Sequence, residues 1–149
     1  PGVMAQTGME TMEIIRGVIA ETKPDVVIAI DALAARSMKR LNCTIQITDT
    51  GINPGSGVLN FRTGLNQESL GIPVIGIGVP TVVDAATIVH DAIAHLLESL
   101  EEAEMEEFLG ELITPRLHSM FVTPKDVDET VKMLSYTISE GLNMAFDRK

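Results

Sequence analysis

Three short apolar runs constrain this chain most. Residues 25–30, 43–48 and 73–79 are rich in Val and Ile and bounded by turn formers. Runs of this kind, four to eight residues long, read as strands buried on both faces. Between them the apolar spacing switches to a helical period. Thr7 and Glu10 have capping-box spacing ahead of Met12, Ile15, Val18 and Ile19, and Pro24 ends that helix. Residues 32–41 are Ala-rich and suit a short helix. Thr81, with Asp84 three positions on, suits the start of a longer helix through Val89, Ile93 and Leu97. Strands alternating with helices imply an α/β unit in three layers, a mostly parallel sheet with helices on both faces.

The rest of the chain fits one such unit over residues 1–149, a length that buries roughly two-thirds of its unfolded surface. Residues 49–57 are dense in Gly, Asn, Pro and Ser, so they read as loop. A single turn is expected near residues 67–70. Pro115 breaks the helical pattern, and residues 117–122 read as extended. Thr123-Pro124-Lys125-Asp126 reads as a cap with Pro at the first helical position. Val127, Val131, Leu134, Ile138, Leu142 and Ala145 then share one face.

Composition excludes several classes. Cys43 is the only cysteine, so neither a disulfide scaffold nor a thiolate metal cluster is available. No apolar run is long enough to span a bilayer as a helix. The net charge is −10, which argues against general binding to a phosphate backbone. That charge is concentrated: residues 98–111 hold seven Glu and no Lys or Arg, while the other 14 acids face 11 bases. A solvated helix face is the plain reading, and a docking surface for a basic partner the sharper one. The chain opens on Pro1-Gly2 without an initiator Met or a signal-peptide pattern, which suggests a piece of something longer.

In open α/β sheets, ligands gather beyond the carboxyl ends of strands. Asp31 directly follows the first apolar run, where a carboxylate beside a sheet suits general acid or base work. The same residue also suits an N-cap for the following helix. Asp49-Thr50-Gly51 follows the second run. The triplet resembles the motif of pepsin-like and retroviral proteases, but Ile52 stands where those carry Ser or Thr, and the surrounding pattern is α/β. A turn is the simpler role. Gly51, Gly55 and Gly57 match no phosphate-loop spacing. His90 and His95 lie about 140° apart on a helix and do not converge. His118 stands alone, no serine has a nucleophile-elbow context, and Cys43 reads as an inert core residue.

Four blocks in order resemble the germination proteases of spore-forming bacteria. They are PGVMAQTGMET at 1–11, KPDVVIAIDALA at 23–34, TIQITDTGINPGSG at 44–57 and LGIPVIGIGVPTVVDA at 70–85, with TPKDV at 123–127 as a fifth, shorter match. The resemblance implies the carboxyl-terminal part of an endopeptidase that degrades small acid-soluble spore proteins during germination. It implies an atypical aspartic mechanism on a fold similar to hydrogenase-maturation proteases. Asp31 would be one of two catalytic Asp residues, the other lying in an amino-terminal region outside these 149 residues. No catalytic role passes to Asp49. Residues 98–114 are shorter than in Bacillus members and receive no role.

The resemblance further implies no cofactor and no metal, a homo-oligomer in the cytoplasm of the spore core, and no direct contact with nucleic acid or membrane. A fragment with one Asp of the pair is expected to be inactive alone. Two rival readings remain: a metal-binding relative of the maturation proteases, and an inactive assembly domain.

Overall fold

The computed structural model describes residues 11–54, 63–96, 109–110 and 113–147. Its centre is a strand of eleven residues. The run expected at residues 73–79 extends further, to Asp84, because Thr81-Val82-Val83 is β-branched and continues the ladder. The elements before it are a helix, α1 (Thr11–Thr22), strand β1 (Val27–Ala35), a 3-10 turn (Met38–Arg40), strand β2 (Gln46–Thr48) and a one-turn helix, α2 (Gln67–Leu70). The central strand is β3 (Val74–Asp84). After it come α3 (Ala85–Leu96), α4 (Pro115–His118), β4 (Phe121–Val122) and α5 (Val127–Phe146). The cap expected at Thr7 and Glu10, and nearly all of the acidic stretch, lie outside the described residues.

The sheet is mixed, which corrects the expectation of a mostly parallel one. β1 runs parallel to β3 from Val27↔Val74 to Ala35↔Val83, with a register shift between Leu33 and Ala34. β2 and β4 pair with β3 antiparallel, through Gln46↔Gly78, Thr48↔Gly76 and Val83↔Val122. Because β1 occupies one edge of β3 along its length, β2 and β4 share the other. The reversal of β2 follows from its connection. Only residues 36–45 join β1 to β2, and a parallel crossover needs roughly a dozen or more. The turn instead folds over β3, where the Asn42 N–H donates to the Pro80 carbonyl at 2.7 Å.

Two helix starts also move. Residues 32–35 were expected to be helical, yet they pair with β3 and bury Ala35. Ladder pairing and burial outweigh the helix propensity of alanine, which is a weak prior. Likewise α3 begins at Ala85, not Thr81. Asp84 supplies the cap, its Oδ1 accepting from the Thr87 N–H at 2.6 Å. Before α5, Thr123 does not cap: its hydroxyl donates to the Thr81 carbonyl at 2.8 Å and ties the helix approach to β3.

Burial is uneven across the sheet. Val74, Ile77, Val79 and Val83 of β3 are buried, Val83 to 1% exposure. The expectation of burial on both faces holds for β3 but fails for β1 and β2, where Ile30 is 54% and Ile47 71% exposed. α5 seats Val127, Leu134, Ile138 and Leu142 half-buried, while Val131 and Ala145 of the expected stripe are exposed. No residue of α5 is fully buried.

Candidate active site

Asp31 is the fifth residue of β1, not the residue after it. The ladder sets it level with Gly78 of β3, which is in turn level with Gln46 of β2. Its side chain is half-buried, and Oδ1 accepts from the N–H of Ala32 at 2.9 Å. No protein group among the described residues bonds Oδ2. This placement corrects the alternative reading of Asp31 as a helix cap, since no helix follows it.

A cavity of about 250 Å³ opens beside this position. β1 contributes Ile30, Asp31 and Ala32, and β3 contributes Val79 and Thr81. α5 closes the far side with Val131, Leu134, Ser135 and Ile138. Its polar side chains are few, the buried Thr81 and Ser135; Asp31 borders it from β1, with alternation turning its carboxylate toward the face of Gly78. Mostly apolar walls with a small number of convergent polar groups are what a binding cleft needs.

Glycines shape the other face of β3. Residues alternate across a strand, so Asp31, Leu33, Gly76 and Gly78 share one face. Leu33 occupies the space that a Cβ on Gly78 would need. A methyl on Gly76 would lie 3.0 Å from the Gly51 carbonyl oxygen and 3.1 Å from Thr48 Cγ2. The Asp49-Thr50-Gly51 triplet therefore folds back onto β3 at Gly76. Its turn is held by Thr48, whose Oγ1 lies 2.7 Å from Thr50 Oγ1 and accepts from the Thr50 N–H at 3.1 Å. Gly51 adopts φ +86°, which favours glycine. Thr48 already stands two ladder positions, about 7 Å, from the level of Asp31, and Asp49 lies beyond it. The two aspartates do not converge.

The remaining candidates separate into two places. Cys43 is exposed in the turn after the 3-10 segment, its Sγ donating to the Lys39 carbonyl at 2.8 Å, which corrects the core reading. His90 and His118, expected to be unrelated, line one cavity with Arg36 and Thr87. Their approach depends on α4 packing beside α3, a long-range contact that no local spacing announces. The side chain of His95 lies outside the described residues. Asp91, unremarked in the sequence, is a structural anchor: Oδ2 accepts from the Met38 N–H at 2.8 Å and the Ser37 hydroxyl at 3.1 Å. No group of three or more potential metal ligands forms among the described residues.

A family model described as germination protease matches residues 1–101. A germination protease of Caldanaerobacter subterraneus subsp. tengcongensis is 47% identical over 97% of this chain and 50% of its own length. One from Clostridium acetobutylicum matches at the same identity and coverage. One from Bacillus subtilis is 40% identical over the whole chain and 53% of its own length. The chain thus spans about half the length of the curated relatives it matches. With the model covering two-thirds of its residues, Asp31 and the Asp49 triplet included, the chain belongs to the germination protease family.

Proposed function

We propose that this chain is the Asp31-bearing part of an endopeptidase that degrades small acid-soluble spore proteins during germination. Membership of the family supports the peptidase class. The observation that carries the site is the Asp31 carboxylate, half-exposed in an edge strand beside an apolar cavity. The chemistry is attack of water on a peptide carbonyl. Asp31, as carboxylate, takes a proton from the water while the water oxygen bonds to the carbonyl carbon. A second carboxyl group, protonated, hands its proton toward the carbonyl oxygen, and the departing amine then collects one as the C–N bond breaks. One carboxylate cannot hold both roles at once, so these 149 residues alone are inactive in this reading.

The same reading takes the fold to be similar to hydrogenase-maturation proteases and the working form to be a homo-oligomer in the cytoplasm of the spore core. The outer side of α5 supports assembly. Met133, Tyr136 and Met144 repeat at helical spacing and are all well exposed.

The test compares two proteins on a purified small acid-soluble spore protein. One is this chain alone. The other is a chimera in which it replaces the matching stretch of the Caldanaerobacter relative. Cleavage is expected from the chimera only. Equal cleavage by the isolated chain would overturn the two-carboxylate reading.

A further inference from the structure

Among the described residues β1, nine residues long, is an edge strand of the sheet. The Val27 N–H donates to the Pro73 carbonyl at 3.0 Å, so β1 turns its odd-numbered N–H groups toward β3. Alternation then points those of Ile28, Ile30 and Ala32 away from the sheet. Among the described residues no strand pairs with that side. One of the three outward donors has a partner, and it is local: Ala32 donates to its neighbour's Asp31 Oδ1. Long exposed edges are usually blunted by Lys, Pro or a bulge. The first seven residues of β1 contain none of these, and their one charge, Asp31, is turned onto its own backbone.

The neighbouring surface is also bare. Ile30, Ile77 and Ile47 stand in one row across β1, β3 and β2. Ile77 is buried, but Ile30 is 54% and Ile47 71% exposed. Relatives of twice this length contain as much polypeptide again with which to cover such a row.

We infer that the outer edge of β1 seats a strand from the part of a germination protease outside the stretch matched here, and that this pairing releases Asp31. A carbonyl of the incoming strand accepts from the Ala32 N–H, and Oδ1 is then free to face a reacting group. Sheet completion and exposure of the carboxylate are one event. The inference rests on family membership and on β1, not on the proposed peptidase chemistry. Amide exchange reads it without any turnover, so the two can fail separately.

The experiment measures residue-resolved hydrogen exchange by NMR in the isolated chain and in the chimera with the Caldanaerobacter relative. In the chain alone, Ile28 and Ile30 are expected to exchange at least about 100-fold faster than Ala29 and Asp31, as unpaired amides do. In the chimera all four should be slow, and the Asp31 carboxyl carbon should shift as Oδ1 loses Ala32. Should the chimera fail to fold, the relative itself is read at the aligned positions. Three results would overturn the inference. Ile28 and Ile30 slow in the isolated chain would mean that its own residues cover the edge. Fast exchange in the chimera would mean that nothing covers it. Protection gained only on adding a substrate peptide would make the edge a substrate seat.

Discussion

Replacing Asp31 by Asn separates chemistry from structure at the proposed site. Among the described residues the side chain makes one hydrogen bond, accepting from the adjacent Ala32 N–H, and it sits half-exposed within a strand. An amide oxygen of the same shape accepts that bond equally well. The stability change should therefore stay within about 0.5 kcal/mol, as for other substitutions that break no buried interaction. For a chain of this size that is a shift in melting temperature of about 2 °C or less. An amide cannot take a proton from water at neutral pH, so the loss of activity should be that of a missing general base, about 10²–10⁴-fold. Because the group acts on the reacting water and not on the bulk of the substrate, the loss should fall on kcat with KM little changed. The assay is cleavage of a small acid-soluble spore protein by the chimera with and without Asp31→Asn. Melting of the isolated chain runs alongside. Activity retained within threefold refutes the catalytic role. A melting temperature lowered by 6 °C or more, equivalent to about 2 kcal/mol, would mean that Asp31 supports the fold instead.

Two glycines with similar backbone angles should respond differently to alanine. Gly51 has φ +86° and Gly71 φ +76°. A Cβ on Gly51 would fall on the Leu65 carbonyl oxygen and lie 2.8 Å from Asn66 Cα, whereas Gly71 faces open space. Gly71→Ala should cost about 1–2 kcal/mol for the left-handed conformation alone. Gly51→Ala should cost about 1–3 kcal/mol more through overpacking. Equal melting shifts would refute this picture of the turn after β2. Asp84→Ala removes the cap of α3 and should cost about 1 kcal/mol, a fall of about 3 °C, while Asp84→Asn should recover most of it. Val83→Ala empties a fully buried site in β3 and should cost about 2 kcal/mol from two lost methyl groups and the cavity they leave. A shift below 1 °C would show that β3 is not the core.

Much of the fold was legible because its signals are local. Among the described residues, alternation of apolar runs with helical spacing placed every strand of three or more residues, and Asn66 and Ser69 close the capping box of the turn expected near 67–70. What failed was set by distant partners. Alanines at 32–35 read as helix because nothing nearby says that β3 will pair with them. Asp84 and Thr81 both suit a cap, and only the extension of the ladder through Val83 decides between them. Strand direction was not legible either. It depends on the ten-residue return through the 3-10 turn, anchored by Asp91 from a helix more than 50 positions away. At the site, Asp31 was legible as a residue type after an apolar run, but its neighbours were not. Thr81 and Ser135 line the cavity beside it from β3 and α5, and their positions in the sequence share no spacing with it.

The shift of Asp31 from the strand's end into its interior tightens the chemistry that can be asked of it. At a strand end a carboxylate meets loops, whose reach is adjustable. Within an edge strand it meets the next strand, whose spacing is fixed at about 4.8 Å. Directly opposed residues on one face place their Cβ atoms about 4.5–5.5 Å apart. Two carboxyl groups so placed can share one proton, as a water-activating pair requires. A carboxylate two positions further along lies about 7 Å away, within reach only through an intervening water. The two-carboxylate proposal and the strand-completion proposal therefore make a joint geometric demand. The second carboxylate must stand on, or directly follow, the strand that pairs with β1, within two positions of Asp31. A structure of the full-length chimera decides this. A second essential carboxylate there, close to Asp31, supports both proposals. A covering strand with no carboxylate within two positions, together with an essential acid elsewhere, would keep the sheet completion and remove the shared-proton mechanism.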